Sequence, residues 1–387
     1  MSKHWLSIIG SVLLVAAAPL LASAQVPAGA LTPTPPDVFY RAEVVSIVAE
    51  KEEHVDIAGV QPFSQTVKVK LIEGSEASKE VELTYAALKR EQLLKSGEKV
   101  VVIAPGSADP GTYYIFEKYR LPSLGIIAIF FIALTVLLGR LRGAASLLGL
   151  AVSILVLAKY VVPQIMAGRN PLLVSFIGAV VIATLSIYLA HGFKRRTTVA
   201  LISTLISIVI AMVLAVVFVK ITRLLGIGSE EATYLQFANI QNINLQGLLL
   251  GGIIIGALGV LDDITTAQAA AVDEISRANP RLTAPQLFQR GLSVGREHIT
   301  SLVNTLVLAY AGASFPALLL FTTYQRPLWV VLNTEVIAEE VVRTLVGSSA
   351  LIFAVPITTL LAAYGLRRHH SGEVTTTVES HHHHGAV

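Results

Sequence analysis

After residue 120 the chain is a succession of apolar stretches with few charges, whereas the stretch before it alternates between apolar and polar positions. About seven apolar segments stand out, near 122–139, 143–165, 171–191, 198–219, 243–261, 299–321 and 344–366. Each approaches the ~20 residues a helix needs to cross a hydrocarbon core of ~30 Å. Residues 37–119 read differently. In Thr66-Val67-Lys68-Val69-Lys70-Leu71 the apolar side chains share one face of a strand, and Val81 with Leu83 and Val100 with Val102 repeat the period of two. Turn signals at Glu73-Gly74-Ser75, Ser96-Gly97-Glu98 and Pro105-Gly106-Ser107 separate these strands, and a helix is expected near 85–94. The fold class is therefore mainly α: a polytopic helical membrane bundle of about seven spans (120–366) behind a small extracytoplasmic β-rich N-terminal domain, a barrel or sandwich (37–119).

Both ends are of another kind. Lys3, an apolar run over 5–21 and Ala22-Ser23-Ala24-Gln25 form the pattern of a secretory signal over 1–24, cleaved after Ala24 or retained as an anchor. Residues 25–36 are a proline-rich linker. Residues 367–387 read as a disordered cytoplasmic tail carrying His381-His382-His383-His384. Such a run can bind transition metals, but on a polar tail it is more often incidental, so no resident metal or cofactor is expected.

Composition agrees with the pattern. With 53% hydrophobic and 14% charged residues and a mean hydropathy of +0.67, the 387-residue chain belongs in a membrane and not among soluble globular proteins. The absence of cysteine excludes disulfides, thiolate metal sites and cysteine nucleophiles. Basic residues fall in short clusters, as topology signals do, and make no nucleic-acid surface. With the β-domain outside, Arg140, Arg142, Lys194, Arg195, Arg196, Arg277, Arg281, Arg290, Arg296, Arg367 and Arg368 fall inside. Only Arg169, Lys220, Arg223, Arg326 and Arg343 fall outside, so the positive-inside rule supports this orientation.

The fifth segment carries the most chemistry. Gly247 with Gly251, and Gly252 with Gly256, form two G-x-x-x-G pairs followed by Gly259, a pattern for close helix packing. The helix then meets Asp262, Asp263, Asp273 and Glu274. Asp262 and Asp273 share a face, as do Asp263 and Glu274, but eleven residues rise about 16 Å, so neither pair chelates one ion. If the membrane core spans 243–261 the acids begin at its inner face; if it spans about 252–272 the aspartates lie near the midplane. An ionised aspartate at the centre of a span costs about 2.5–3.5 kcal/mol, which favours the inner face and makes Arg290 and Arg296 expected partners.

Beyond it, Thr283-Ala284-Pro285-Gln286 opens a helix with Leu287, Phe288, Leu292 and Val294, read as an amphipathic helix on the inner surface. Asn304 and Tyr310 lie in the sixth segment, and Pro316 should kink it. Glu335, Glu339 and Arg343 fall at i, i+4 and i+8 before the seventh, where Glu339 and Arg343 are suited to a helical ion pair.

Gly256-Ala257-Leu258-Gly259 through Asp262-Asp263, Val294-Gly295-Arg296-Glu297-His298-Ile299, Ser301-Leu302-Val303-Asn304-Thr305-Leu306 and Leu308-Ala309-Tyr310-Ala311-Gly312 recur in order with Asn333-Thr334-Glu335, Glu339-Glu340-Val341-Val342-Arg343 and Val355-Pro356-Ile357-Thr358-Thr359. In these motifs the chain resembles the YibE/F-like family of bacterial multispanning membrane proteins, over roughly 40–366. The resemblance implies an inner-membrane protein of permease-like kind and assigns no substrate. The leading expectation is a transporter or transporter-associated protein, ion- or proton-coupled, whose polar pathway uses Asp262, Asp263, Arg296, Asn304, Tyr310, Glu335, Glu339 and Arg343. The alternative is a structural or sensory membrane protein whose exported β-module binds an envelope partner. An enzyme is not expected, since H-E-x-x-H, G-x-S-x-G and Walker-type motifs are missing. The partners implied are the lipid bilayer, another copy of the chain or a second membrane subunit, and an envelope ligand.

Overall fold

The computed structural model describes residues 37–52, 63–74, 76–106, 109, 111–237, 243–323 and 326–370. The signal segment, the proline-rich linker and the histidine run lie outside the described residues. The chain divides into two compact units, one running to Leu134 and the other from Thr135 onward.

The first unit is built on five antiparallel strands: β1 (Val38–Glu52), β2 (Phe63–Leu71), β3 (Glu80–Ala87), β4 (Lys99–Ala104) and β5 (Tyr114–Lys118). Their order is β3-β2-β1-β4-β5, and the sheet curls into a half-barrel that brings β3 towards β5. Ala42, Val44, Val67, Val69, Leu71, Val100 and Val102 are almost fully buried on its concave side, which is the face the alternation predicts. The expected helix over 85–94 is replaced by the end of β3 and a single 3-10 turn at Arg90–Gln92. The reason is Gln65. Its buried amide donates to the Leu94 carbonyl at 3.0 Å and accepts from the Leu94 N–H at 2.9 Å, satisfying that backbone without a helix.

Helix α1 (Leu121–Val156) begins in this unit and ends in the second. At Arg140 its backbone leaves the helical region, with φ 50 and ψ −136, so the two apolar segments expected there form one run interrupted at that residue. Gly143 lies against the Thr135 carbonyl, where a side chain would not fit. A π turn (Leu157–Val161) and α2 (Val162–Met166) complete the run.

The second unit continues with α3 (Pro171–His191), α4 (Arg195–Thr222), α5 (Glu230–Phe237), α6 (Leu245–Ala278), α7 (Ala284–Ala313), α8 (Phe315–Thr323), α9 (Leu328–Leu332) and α10 (Glu335–His370). Among the described residues five helices are long and apolar enough to cross a membrane, or six when α7 and α8 count as one broken span. The 57° bend between those two follows from Pro316 at the start of α8, as its ring predicts. Helix α6 is the centre, packed by α3, α4, α7 and α10.

Helix α6 runs unbroken through the acids to Ala278, as their shared faces require, because Leu261, Ile264, Ala269 and Val272 remain buried against the bundle. One expectation is corrected. Helix α7 is likewise continuous from its cap, with no separate surface helix. Leu287 is fully buried, and Gly291 and Gly295 let α7 approach Val272 of α6 and Val355 of α10. The N-terminal cap itself is as predicted, a capping box between Thr283 and Gln286.

Candidate functional site

Three short segments converge on the middle and far end of α6. Helix α3 ends at His191, Gly192 takes a positive φ of 72, and α4 starts at Arg195, so the reversal takes only three residues. Tyr188 stacks on Phe193 at 4.6 Å and shares a 3.1 Å hydrogen bond with Thr198, which fixes the turn. The turn therefore holds His191, Lys194, Arg195 and Arg196 close to α6.

Asp262 lies near the middle of α6, half-buried, and accepts a long 3.4 Å hydrogen bond from the Ser186 hydroxyl of α3. Ser186 is five residues, about 7.5 Å of helix, inside the His191 end of α3. Thr265, one turn on, is fully buried and shares a 2.6 Å hydrogen bond with Thr204, which is nine residues, about 14 Å, inside the start of α4. Asp262 is thus flanked by helices that continue past it. Asp263 is exposed and lies within electrostatic reach of His191, as does Arg196. Between these helices is a cavity of about 240 Å³ lined by His191, Arg196, Thr197 and Thr266.

Further along, Asp273 is buried, with Arg277 at 2.9 Å and Arg196 at 3.9 Å from one of its carboxylate oxygens. Gln268 lies fully buried between Asp262 and Asp273. Its amide donates to the Gly291 carbonyl and to the Thr359 hydroxyl, both at 2.8 Å, tying α6 to α7 and α10. No group of three or more metal-ligating side chains occurs among the described residues.

The eight residues expected to line one pathway are distributed over four places. Asp262 and Asp263 meet His191 and the α3–α4 turn. Arg296 and Asn304 are exposed on α7, and the arginines in electrostatic reach of His191 are Arg196 and Arg142 instead. Tyr310 is half-buried, facing Gly256 of α6 and in electrostatic reach of Arg343 and Glu340. Glu335 and Glu339 sit at the opposite end of α6, on the loop after α4. There one oxygen of Glu335 accepts from the N–H groups of Leu225, Gly226 and Ile227 at 2.7, 2.8 and 3.2 Å, and Glu339 accepts from Gly228 at 2.9 Å. The ion pair read at i, i+4 is not the one formed. Arg343 pairs with Glu340 at 3.5 Å, because Glu339 is turned into the loop.

The glycine-rich face is also divided. Gly247 packs on Pro171 and Gly251 on Ser175 of α3, with no room for a methyl group at Gly251. Gly252 and Gly259 meet no neighbour among the described residues, and Gly256 meets only Tyr310.

Residues 127–368 match the family model described as YibE/F-like protein. The chain belongs to the YibE/F-like family. The match begins within α1, so the strands of the β-unit lie outside it, and it starts later than the extent of roughly 40–366 expected from the sequence. No curated protein and no solved structure matches the chain. The YibE/F-like region therefore contains all the acids, the basic turn and the glutamate-bound loop. His191 and Arg196 were the residues that sequence reasoning missed. Both lie at segment ends, where basic and polar residues are ordinarily topology signals, and 66 residues separate Arg196 from Asp262 in the chain.

Proposed function

We propose that this YibE/F-like chain is a multi-pass protein of a bacterial cell membrane, with residues 37–119 outside and the C-terminus in the cytoplasm, and that it is a secondary permease or part of one. The observation that carries this reading is Asp262: a half-buried carboxylate at mid-helix, with one long side-chain hydrogen bond, one turn before Thr266, which lines a cavity. An isolated charge so placed among lipid-facing helices costs about 2.5–3.5 kcal/mol, so the site calls for a proton or a cation. Its depth relative to Ser186 and Thr204 supports a position inside the membrane, about one and a half to two and a half helical turns from the inner face. Polar groups then continue along α6 towards the other end: Tyr310 against Gly256, six residues or about 9 Å from Asp262, then Arg343 with Glu340, then Glu339 on the loop. The driving force is an ion gradient or a second membrane subunit.

Proteoliposomes holding a pH-sensitive dye and polarised by a potassium gradient with valinomycin test this directly. Proton entry should exceed that of empty liposomes and fall at least tenfold when Asp262→Asn and Asp263→Asn are combined. Entry that the double variant leaves unchanged removes the acids from any pathway. A second reading, docking of an envelope partner on the β-unit, is supported by Phe39 and Phe116. Their rings meet edge to face at 5.5 Å and both are more than half exposed. A photocrosslinker at Phe116 that gives no protein adduct in cells argues against it.

A further inference from the structure

Sharing Arg196 with the cavity at His191 is a larger one, about 370 Å³, lined by Lys194, Arg195, Arg196, Arg277, Asp273 and Leu366. Among the described residues that line it, four are cationic and one is a carboxylate. Asp273 engages Arg277 closely and Arg196 at longer range, and among the described residues Lys194 and Arg195 make no ion pair. Lys194 is the N-cap of α4, and the N–H groups of the first turn that follows carry the positive end of a 28-residue helix. A separate observation points the same way. Thr197, in that first turn, is 2% exposed and its hydroxyl has no hydrogen-bond partner among the described residues, and the residue lines the adjoining cavity that Arg196 shares. A buried hydroxyl without a partner is uncommon, and an acceptor-rich ligand would satisfy it.

We propose that these cavities, which meet at Arg196, bind a phosphate-bearing anion. Lys194, Arg195 and Arg277 would neutralise its charge, the first turn of α4 would donate from its backbone, and Arg196 with Thr197 would hold an oxygen on the inner side. Arginine is suited to this through its planar fork of donors, and helix N-termini bind phosphate for the reasons just given. Leu366 supplies an apolar wall beside the charges. The chemistry fits both a soluble phosphate and the headgroup of an anionic phospholipid. It rests on no assumption about transport.

The test uses the purified full chain in uncharged detergent, modified with phenylglyoxal and read by mass spectrometry at single arginines. Inorganic phosphate is titrated at constant ionic strength in one arm, and phosphatidylglycerol against phosphatidylcholine in mixed micelles in the other. Saturable protection of Arg195 and Arg196, with exposed Arg281 unprotected, supports the site. Protection in the first arm alone identifies a soluble phosphate, in the second alone a lipid headgroup, and in both a site that accepts either. Lys194→Gln, at an exposed position, should raise the half-saturation concentration about tenfold, the effect of losing one charge-assisted hydrogen bond. Absence of protection in both arms, or equal protection of Arg281, overturns the proposal without recourse to any variant.

Discussion

Glu335 ties two distant parts of the helical unit through one oxygen, and its removal gives a sharp prediction. One carboxylate oxygen at the start of α10 receives three successive N–H groups, from Leu225, Gly226 and Ile227, about 110 residues earlier in the chain. Hydrogen bonds to a charged group contribute about 1.5–3 kcal/mol each, but three donors on one partly exposed oxygen are not additive, so Glu335→Ala should cost the loop about 2–4 kcal/mol. At about 3 kcal/mol, local opening becomes about 100-fold more frequent. Gly226 has φ +84 and lies against the Leu245 carbonyl, so the loop has no alternative packing of equal quality. Hydrogen exchange with mass spectrometry on a peptide covering 225–228 reads this opening directly. Exchange should accelerate about 100-fold in Glu335→Ala and less in Glu335→Gln, which keeps an acceptor oxygen. Glu340→Gln, which loses only the Arg343 contact, should leave it alone. Exchange in Glu335→Ala within about threefold of the parent protein would refute the argument that the carboxylate anchors the loop.

The glycine face predicts opposite effects one residue apart. Gly251→Ala forces a methyl group onto Ser175 and should destabilise by about 1–3 kcal/mol in thermal unfolding, whereas Gly252→Ala, in open space, should be neutral or stabilise by up to about 1 kcal/mol; equal losses would contradict the packing described. Gln268→Ala removes two buried hydrogen bonds and leaves a void, for an expected loss of about 2–4 kcal/mol against a smaller one for Gln268→Leu, compared by the same unfolding assay. In the β-unit, hydrogen bonds from Lys79 and Tyr113 hold the Glu76 carboxyl below its ordinary value of 4.5. A depressed carboxylate stabilises the fold above that value and ceases to as pH falls through its lower folded value. The difference in unfolding midpoint between the parent protein and Glu76→Gln should therefore be present at pH 7 and shrink below about pH 4.5. A difference that persists unchanged at pH 3 would assign the effect to packing.

How far these features are legible before folding depends on whether they live on one face of one element. The strands β2 and β4, the cap at Thr283, the kink at Pro316 and the segment pattern follow from local periodicity and backbone chemistry. Strand β1 escapes the same reasoning. Its register shifts between Val44 and Ser46 and between Ile47 and Ala49, so its apolar residues do not alternate for long enough to signal a strand. The packing of α6 past 261 escapes it too, since alanine and threonine are equally at home on a solvated helix face and in a close helix contact.

What the amino-acid sequence determined by itself is the family, the apolar segments, the β-stranded module and the residues able to carry charge within α6. Only the tertiary structure decided what each of them meets: Asp262 with Ser186, Asp273 with Arg277 and Arg196, Gln268 with Thr359, and Glu335 with a loop of backbone donors. The physical reason is that hydrophobic periodicity says which face of a helix is covered, but lipid and several neighbouring helices cover it equally well. The choice among them is made by shape, at glycines such as Gly251 and Gly295, and by the pairing of the few polar groups left inside.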